Sequence, residues 1–378
     1  MSKSQPTETF SDTTKVQSDD MSYGRLGYTT GACAAAAAKA ALRALIGDTE
    51  QPTEVEIPFP GGERHSLPVV FVRQRVHGAE AAVLKDAGDD PDITNGSLVQ
   101  AFVEWGGGKD VVFVAGSGVG TVTKKGLSVP PGEPAITSGP RKMVRDALCE
   151  LTSRPVRVTI SIPGGREMAQ KTYNPRLGVV NGLSILGTTG RVRPFSCQAL
   201  KCSLVCELDV AKAAGVTAPV LTPGHIGERS ARKHLTVTAE QVIEVGNEWG
   251  FLLENLPRYQ FEQVLLWGHP GKLAKLADGQ WDTHSSRSSP AMETIRRMGG
   301  SFHSLDPAEH ATTEGLFAAL DQAERNRLGE ALSAAIARAA EEKMSDASKI
   351  SVVLVNMEGD VLGTYGDLSL WRKLNHKS

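Results

Sequence analysis

Cysteine, net charge and long apolar runs are all scarce in this sequence, and each scarcity excludes a class of protein. Five cysteines in 378 residues are few and odd in number, which favours a reducing compartment over a disulfide framework. With 41 basic and 43 acidic residues, the net charge of −2 provides no general attraction to nucleic acid or anionic membrane. No apolar run approaches the ~20 residues of a membrane span, and the first twenty residues contain no signal-peptide core. We therefore expect a cytoplasmic protein with neither a membrane nor a nucleic-acid partner.

The length and the order of the patterns predict two folded domains behind a polar tail. Residues 1–23 are rich in serine and threonine, and we expect them to be disordered. Residues 24–176 combine an alanine-rich helix with strand-like runs such as "TEVEIPF", "HSLPVVFVRQRV" and "DVVFVAGSG", which predicts an α+β domain. Residues 177–378 predict an α/β domain with a Rossmann-like, mostly parallel sheet.

Apolar runs that end in glycine or proline recur through the second half, and helical stretches follow them. The runs are "NGLSILGTTG", "APVLTPGHIGE", "QVIEVGN" and "FEQVLLWGHPG", with "KISVVLVN" closing the series. This alternation predicts parallel strands that helices cover on both faces. Ligands of such sheets bind at the carboxyl ends of the strands, so the segments "GTTG", "TPG", "GN" and "GHPGK" are candidate ligand loops.

The segment "GYTTGACAAAAAKAAL", residues 27–42, places a glycine-hinged polar step before a helix made almost wholly of alanine. One interpretation is packing alone, because threonine is a good N-cap and an alanine face lets another backbone approach closely. The other is an anion site at the free N–H groups of the helix N-terminus. The step "GTTG" recurs at Gly187–Gly190, which favours ligand binding without excluding packing.

Two glycine-rich loops resemble nucleotide-binding motifs, and both fail the spacing test. In "VVFVAGSGVGTV" the third position of G-x-G-x-x-G is Thr121, and no helix follows at once, so a turn that brings backbone close to a substrate is favoured. In "WGHPGKLAKL" the lysine is followed by Leu273 instead of serine or threonine, which argues against ATP hydrolysis. The second loop still suits a carboxylate or a nucleoside edge.

The remaining candidate groups carry weaker signals. The segment "KDAGDDPDITNG" clusters four aspartates without the pattern of an EF-hand, and a solvated turn and a catalytic role both stay open. Cys197, Cys202 and Cys206 lack zinc-site spacing and are expected to be buried thiols on a helix, so no protein-bound metal is expected. His284 stands in the loop "DTHSS", and no nucleophile elbow is present.

Several long stretches, taken together, resemble the CbiD-type cobalt-precorrin-5B C-1-methyltransferases of anaerobic cobalamin biosynthesis. They are "GYTTGACAAAAAKAAL", "KDAGDDPDITNG", "GVGTVTKKGLSVPPGEPAI", "ISIPGGREMAQKTYNPRLGVVNGLSILGTTGRVRP" and "GHPGKLAKLADG" with the later "THS". The resemblance extends from about Gly24 to Tyr365, and the block Ile160–Pro194 is its most specific part. The chain departs from the family pattern at "FSCQALKCSLVC", "VGNEWG" and "GHPGK".

This resemblance implies transfer of a methyl group from S-adenosylmethionine to ring carbon C-1 of a cobalt-bearing tetrapyrrole, yielding cobalt-precorrin-6A. Such a displacement requires the reacting carbons to be held about 3–3.5 Å apart in a dry site, and it requires no nucleophilic side chain. The substrate carries acetate and propionate arms, which local donors of a near-neutral protein must bind. Residues 24–176 are then the substrate-binding domain, and residues 177–378 are expected to hold the methyl donor.

The expected site residues follow from the resemblance and from the tendency of ligands to bind at the carboxyl ends of parallel strands. Substrate contacts are expected at Thr29, Thr30, Gly31, Lys85, Asp86, Arg191, Arg193 and Lys272. Contacts to S-adenosylmethionine are expected at Gly187, Thr188, Thr189, Gly190, Gly246, Asn247, Glu248, Gly268, His269 and Gly271. Glu244 is an alternative to Glu248 for the ribose, and the acid–base candidates are His284, Asp89 and Asp90.

Two rival functions remain open at this stage: a nicotinamide-dependent reductase on an α/β fold, and a non-catalytic tetrapyrrole carrier. The failed dinucleotide motif argues against the reductase. A carrier would bind the macrocycle without taking up a methyl group. A homodimer and a transient handover from a neighbouring pathway enzyme are both compatible with the sequence.

Overall fold

The computed structural model describes residues 24–48, 52–108, 110–194, 197–298, 312–344 and 349–371, so the predicted tail, residues 1–23, lies outside it. Within these ranges, no helix is both long and apolar enough to cross a membrane.

Strands and helices alternate irregularly in the first half and regularly in the second. The strands are β1 Gly27–Tyr28, β2 Glu54–Pro58, β3 Arg64–Arg75, β4 Gly78–Leu84, β5 Leu98–Trp105, β6 Val112–Ala115, β7 Thr121–Val122, β8 Val156–Ser161, β9 Val179–Val180, β10 Arg191–Val192, β11 Val220–Thr222, β12 Val242–Glu244, β13 Gln263–Gly268, β14 Lys349–Val355 and β15 Val361–Tyr365. The helices are α1 Thr30–Leu45, α2 Ser138–Cys149, α3 Gly165–Ala169, α4 Asn174–Leu177, α5 Cys197–Ala213, α6 His225–His234, α7 Trp249–Asn255, α8 Pro270–Leu273, α9 Ala291–Met298, α10 Thr313–Ala319 and α11 Gln322–Met344.

The first half is built on a six-stranded sheet in the order β2-β3-β4-β5-β8-β6, antiparallel except for the parallel pair β6 and β8. Helix α1 lies against strands β2 to β5 and against α2, and its alanines are fully buried. The facing strands also present small side chains, at Ala79, Ala81 and Ala101. Small side chains on both surfaces let helix and sheet approach closely, which explains why a helix of alanine forms the centre of this core.

The second half is built on a five-stranded sheet in the order β12-β11-β13-β14-β15, in which only β15 is antiparallel to its neighbour. Helices α5, α7, α9 and α11 cover one face of the sheet. Helix α6 and Trp371 cover the other face. The strands read as unbroken apolar runs because both of their faces are buried.

The prediction of a mixed α/β chain is confirmed, and two details of the prediction are wrong. The run "NGLSIL" is not a strand of the second sheet: Leu183 and Ile185 belong to the first core and make only isolated bridges to Val119 and Ile136. Strand β15 follows β14, although "KISVVLVN" was expected to end the series. The division at residue 176 and the Rossmann-like description stay predictions.

Candidate functional site

The second sheet has a topological switch point between β11 and β13. After β11 the chain crosses to β12 on one side, and after β13 it crosses to β14 on the other side. In parallel sheets of this kind, ligands bind in the crevice at the carboxyl ends of the two strands where the order reverses. Here that crevice is bordered by Pro223–Gly224, Gly246–Glu248 and Gly268–Lys272, and we call these three loops the switch edge.

Two loops of the switch edge are tied together by the side chain of Asn247. Its Oδ1 accepts hydrogen bonds from Lys272 Nζ and, at 3.2 Å, from Thr283 Oγ1. The backbone N–H of Thr283 also donates to the Asn247 carbonyl at 3.2 Å. Burial and the neighbouring charge of Lys275 lower the pKa of Lys272, while Asp282 opposes the change. Asn247 and Lys272 are thus held in place before any ligand binds.

His269 caps helix α8 from within the switch edge. Its Nδ1 accepts the N–H of Gly271 at 3.0 Å, so Nδ1 carries no proton, and Nε2 faces Glu314 Oε2 at 2.8 Å. Both ring nitrogens therefore have protein partners, which fits a role in shaping the loop. Gly268 is the last residue of β13, and Glu248 lies 3.8 Å from Lys201 Nζ.

His284 lies in an exposed loop next to Thr283, the residue that contacts Asn247. Its Nδ1 is 2.8 Å from Ser286 Oγ, and its backbone N–H donates to Asp282 Oδ1 at 3.0 Å. His284 thus adjoins the switch edge, whereas the other two acid–base candidates lie in the first half.

Those two candidates, Asp89 and Asp90, lie in the acidic segment after β4, where Asp86 pairs with Arg25. The side chain of Asp89 accepts the backbone N–H of Arg25 at 2.6 Å. Hydrogen bonding from Arg25 is the main reason why the pKa of Asp86 lies below its usual range. The segment is thus a folded turn in which Asp86 and Asp89 have protein partners.

Lys85, at the start of the same segment, is 1% exposed and pairs with Asp92 at 2.6 Å. Burial by itself would raise the pKa of Asp92, but the hydrogen bond and charge of Lys85, with help from Thr94, lower it. Lys85 therefore has a buried structural partner.

The two threonine-glycine steps, which the sequence assigned to different halves, pack against each other. Thr29 caps α1 by accepting the N–H of Ala32 at 3.1 Å, and its own N–H donates to the Gly190 carbonyl at 3.0 Å. The N–H of Gly31 donates to the Leu186 carbonyl at 3.0 Å. The loop Gly187–Gly190 is therefore not at an end of the second sheet, and protein acceptors already occupy the N–H groups of Gly31 and Ala32.

Next to these steps, Arg191 is surrounded by aromatic rings. Strand β10, which contains Arg191, pairs with β1, and the guanidinium lies 4.9 Å from the centre of the Tyr28 ring. It lies 6.0 Å from the centre of the Phe59 ring and 3.0 Å from His65 Nδ1. Arg193 follows and is exposed. This corner combines a cation with flat rings beside the N-terminus of α1.

Arg176 joins the first half to the second, and we call its surroundings the junction. Its guanidinium lies 2.6 Å from Glu228 on α6, 3.3 Å from Glu207 on α5 and 3.7 Å from Glu244 at the end of β12. It also donates to the Val242 carbonyl at 3.1 Å. The junction therefore connects the substrate half predicted from sequence to the strand that leads into the switch edge.

The first half also contains a polar cleft of about 470 Å³ that sequence reasoning did not find as a site. It lies between the turn Gly116–Thr121, the loop that starts α3, and Asn181. In the sequence, only the glycine turn at Gly116, Gly118 and Gly120 indicates this cleft, because it predicts a backbone that lies close to a substrate. Polar side chains that line the cleft include Ser117, Arg166 and Asn181, and none of these three was expected from the sequence to be a site residue.

Comparison with known proteins identifies the family. The family model described as CbiD matches residues 17–194. A relative from Syntrophotalea carbinolica, named cobalt-precorrin-5B C(1)-methyltransferase, is 49% identical over 346 residues, covering 92% of this chain and 98% of the relative. The chain belongs to the CbiD family.

Membership of the CbiD family extends over both halves of the chain. A relative with the same name from Methanocaldococcus jannaschii is 41% identical over 362 residues, covering 92% of this chain and 97% of the relative. Among solved structures, the crystal structure of cobalamin biosynthesis protein (cbiD) from Archaeoglobus fulgidus is 29% identical and covers 72% of this chain and 85% of that chain, with a TM-score of 0.38.

In this CbiD-family chain the structure separates the expected residues into two groups. The group at the switch edge contains Gly246, Asn247, Glu248, Gly268, His269, Gly271 and Lys272, with His284 beside it. The group in the first half contains Thr29, Thr30, Gly31, Lys85, Asp86, Asp89, Asp90, Gly187, Thr188, Thr189, Gly190, Arg191 and Arg193. One further expectation is wrong for Cys202, which is exposed, whereas Cys206 is half-buried and packs against the apolar cluster around Val210, and the side chain of Cys197 lies outside the described part of the chain.

Proposed function

We propose that this protein transfers a methyl group from S-adenosylmethionine to ring carbon C-1 of cobalt-precorrin-5B, giving cobalt-precorrin-6A. The observation that carries this function is the 49% identity to a named cobalt-precorrin-5B C(1)-methyltransferase, which extends over 98% of that relative. The tetrapyrrole is a substrate, and its cobalt belongs to the substrate.

The methyl donor is assigned to the switch edge. The polar groups of this edge suit a nucleoside with an amino-acid tail: the carboxylate of Glu248, the amide of Asn247 and the ammonium of Lys272, with the carboxylate of Glu244 nearby at the end of β12. A carboxylate can accept from ribose hydroxyls, and an ammonium can bind the carboxylate of the tail. The loop Gly187–Gly190 lies beside Thr29, away from this edge, so we now assign it to the substrate.

The acid-armed substrate is assigned to the first half, beside the N-terminus of α1. Arg191 and Arg193 supply positive charge there, and Tyr28 supplies a ring against which a flat macrocycle can stack. Arg25 and Lys85 already pair with Asp86 and Asp92, so their net attraction for further carboxylates is small.

The work of the protein in this reaction is positioning. When bound, S-adenosylmethionine supplies a methyl group that an electron pair of the ring carbon takes up, while the sulfur keeps the electrons of the broken bond. The tie between Asn247, Lys272 and Thr283 fixes the donor loops, and Arg176 fixes the first half against them. Such pre-formed geometry lowers the barrier by removing orientational freedom and water. Of the three acid–base candidates, His284 adjoins the donor loops, so we assign any proton transfer to it.

The test is incubation of the purified chain with cobalt-precorrin-5B and methyl-labelled S-adenosylmethionine, followed by mass spectrometry. We expect one added methyl group, with the label at C-1. Binding of the tetrapyrrole without label uptake would identify a carrier instead. Saturable quenching of NADH fluorescence, again without label uptake, would favour the reductase.

A further inference from the structure

We propose that the polar cleft binds a carboxylate arm of the tetrapyrrole, with Arg166 and Asn181 as the side chains that hold it. This inference rests on the function proposed above, because that function defines a substrate with acidic arms. It adds a contact site in a part of the first half where none of the expected residues lies.

At the floor of the cleft, the backbone of Gly118 packs directly against the backbone of Ile162. A Cβ added to Gly118, whose φ is +74°, would lie 1.9 Å from the Ile162 carbonyl oxygen. The turn is fixed by backbone hydrogen bonds from Ile162 to Ser117 at 2.8 Å and from Leu183 to Gly118 at 2.9 Å. The cleft is therefore held open by a rigid floor.

Two backbone donors belong to residues that line the cleft and are unused within the described part of the chain. The hydrogen bonds of the turn engage the N–H groups of Gly116, Val119 and Gly120, and they leave those of Ser117 and Gly118 without a partner among the described residues. Two successive free N–H groups, one of them on a left-handed residue, form a concavity that favours an anion. A single carboxylate has two oxygens that can accept from such a pair.

The side chains around this floor add the charge that a carboxylate requires. Arg166 is exposed and has no ion pair within the part of the chain that the structure describes. Its planar guanidinium matches a carboxylate with two parallel hydrogen bonds. Asn181 also lines the cleft, is exposed and has a φ of 65°. Asparagine is one of the few residues besides glycine that adopt this left-handed conformation readily. Glu167 also lines the cleft. Because its carboxylate repels the carboxylate of a substrate arm, the arm is expected to bind on the side of Arg166.

The position of the cleft connects it to the switch edge through the junction. Strands β7 and β9 pair with each other, and Thr121 and Asn181 at one end of this ribbon line the cleft. Lys124 and Arg176 lie at the other end, where Arg176 contacts Glu244 at the end of β12. The paired strands of this ribbon are two residues each, so its two ends lie about 7 Å apart. The cleft and the junction are therefore separated by only this short ribbon.

The test uses Arg166→Gln and Asn181→Gly in the full chain. Glycine tolerates the left-handed backbone at position 181, so this variant removes the amide without adding strain. Arg338→Gln, an exposed change on α11, is the matched control. We expect each cleft variant to raise the KM for cobalt-precorrin-5B about tenfold, as for a lost hydrogen bond to a charged group. We also expect kcat and the KM for S-adenosylmethionine to stay within twofold of the parent.

A second measurement separates this inference from the proposed function. Absorbance titration with cobalt-precorrin-5B gives a dissociation constant whether or not methyl transfer occurs. An unchanged dissociation constant in both cleft variants would overturn the cleft assignment, even if the parent chain methylates normally. A tenfold weaker dissociation constant in both variants, with the control unchanged, would support the cleft even if no methyl group were transferred.

Discussion

The guanidinium of Arg176 and the carboxylate of Glu228 lie 2.6 Å apart and hold the two halves of the chain together. The same guanidinium contacts Glu207 and Glu244, so one cation from the first half bridges three acidic side chains of the second, of which Glu228 also pairs with Arg232. Carboxylates at such short range repel one another strongly when no cation lies between them. Arg176 is therefore where these acidic contacts converge, beside a second ion pair between Lys124 and Glu240 at 2.9 Å and the apolar packing of Val210 against the first half.

Arg176→Ala is expected to lower the free energy of unfolding by about 3 kcal/mol, because it leaves three clustered carboxylates without their shared partner. Chemical denaturation at neutral pH measures the change. Arg157→Ala is the control, since its pair with Glu104 is at 3.4 Å and largely exposed, and such pairs contribute about 1 kcal/mol or less. Equal losses in the two variants would contradict the role of the junction.

Glu207→Gln is expected to change how stability depends on pH. Burial raises the pKa of Glu207 to about 7 from 4.5, although Arg176 opposes the rise. The folded chain therefore binds this proton more tightly than the unfolded chain, so the parent loses stability as pH rises from about 4.5 to about 7. At 1.36 kcal/mol per unit the loss is on the order of 3 kcal/mol, and the glutamine variant lacks it.

Denaturation of parent and variant at several pH values between 4.5 and 8 measures this difference. Glu240→Gln is the control, because a hydrogen bond from Lys124 lowers the pKa of Glu240, whose stabilisation is then constant above about pH 5. A Glu207→Gln curve parallel to that of the parent would show that Glu207 titrates normally.

Gly31→Ala is expected to destabilise the protein by about 1–3 kcal/mol, as overpacking of a core does. The new Cβ would lie 2.6 Å from Pro140 Cγ and 3.0 Å from the Leu186 carbonyl oxygen. Gly107→Ala is the control, since the space around that position is open. Thermal unfolding measures both, and an unchanged midpoint for Gly31→Ala would contradict the close packing of the start of α1 against α2 and Leu186.

Asn247→Ala is expected to raise the KM for S-adenosylmethionine about tenfold, because Lys272 and Thr283 lose the acceptor that positions them. The KM for the tetrapyrrole is expected to stay unchanged, since that substrate is assigned to the other half. Steady-state kinetics with each substrate varied in turn measures the two constants, and Glu330→Gln on α11 is the control. A rise in the KM for the tetrapyrrole alone would contradict the assignment of the methyl donor to the switch edge.

The sequence predicted the parallel strands of the second sheet well because they are buried on both faces, whereas the partly exposed edge strand β15 was not predicted. Runs such as "QVLLWG" and "KISVVLV" are unbroken, and a glycine, proline or asparagine marks where each ends. Burial of both faces of a strand therefore produces a continuous apolar run that can be recognised in the sequence. In β5, "LVQAFVEW", buried and partly exposed residues alternate. This alternation indicates a strand less clearly than an unbroken apolar run does, and β5 was not predicted.

The placement of the loop Gly187–Gly190 could not be predicted, because contacts distant in sequence decide it. Its partner Thr29 lies far earlier in the chain, and the backbone hydrogen bond between Thr29 and Gly190 has no local signature. The polar cleft was missed for the same reason, since its walls come from three separate segments. Only the glycine spacing at Gly116, Gly118 and Gly120 gave any sign of it.

Strand β1 pairs with β10, so Gly27 contacts Val192, which lies far later in the chain. The first core also contains Leu183 and Ile185 from the same late part of the sequence. On the ribosome, the alanine helix emerges early and must wait for these late segments before its buried surface is complete. An apolar surface left open for that interval is a target for chaperones and for aggregation. Expression of this protein is therefore expected to depend on the rate of translation and on cellular folding assistance.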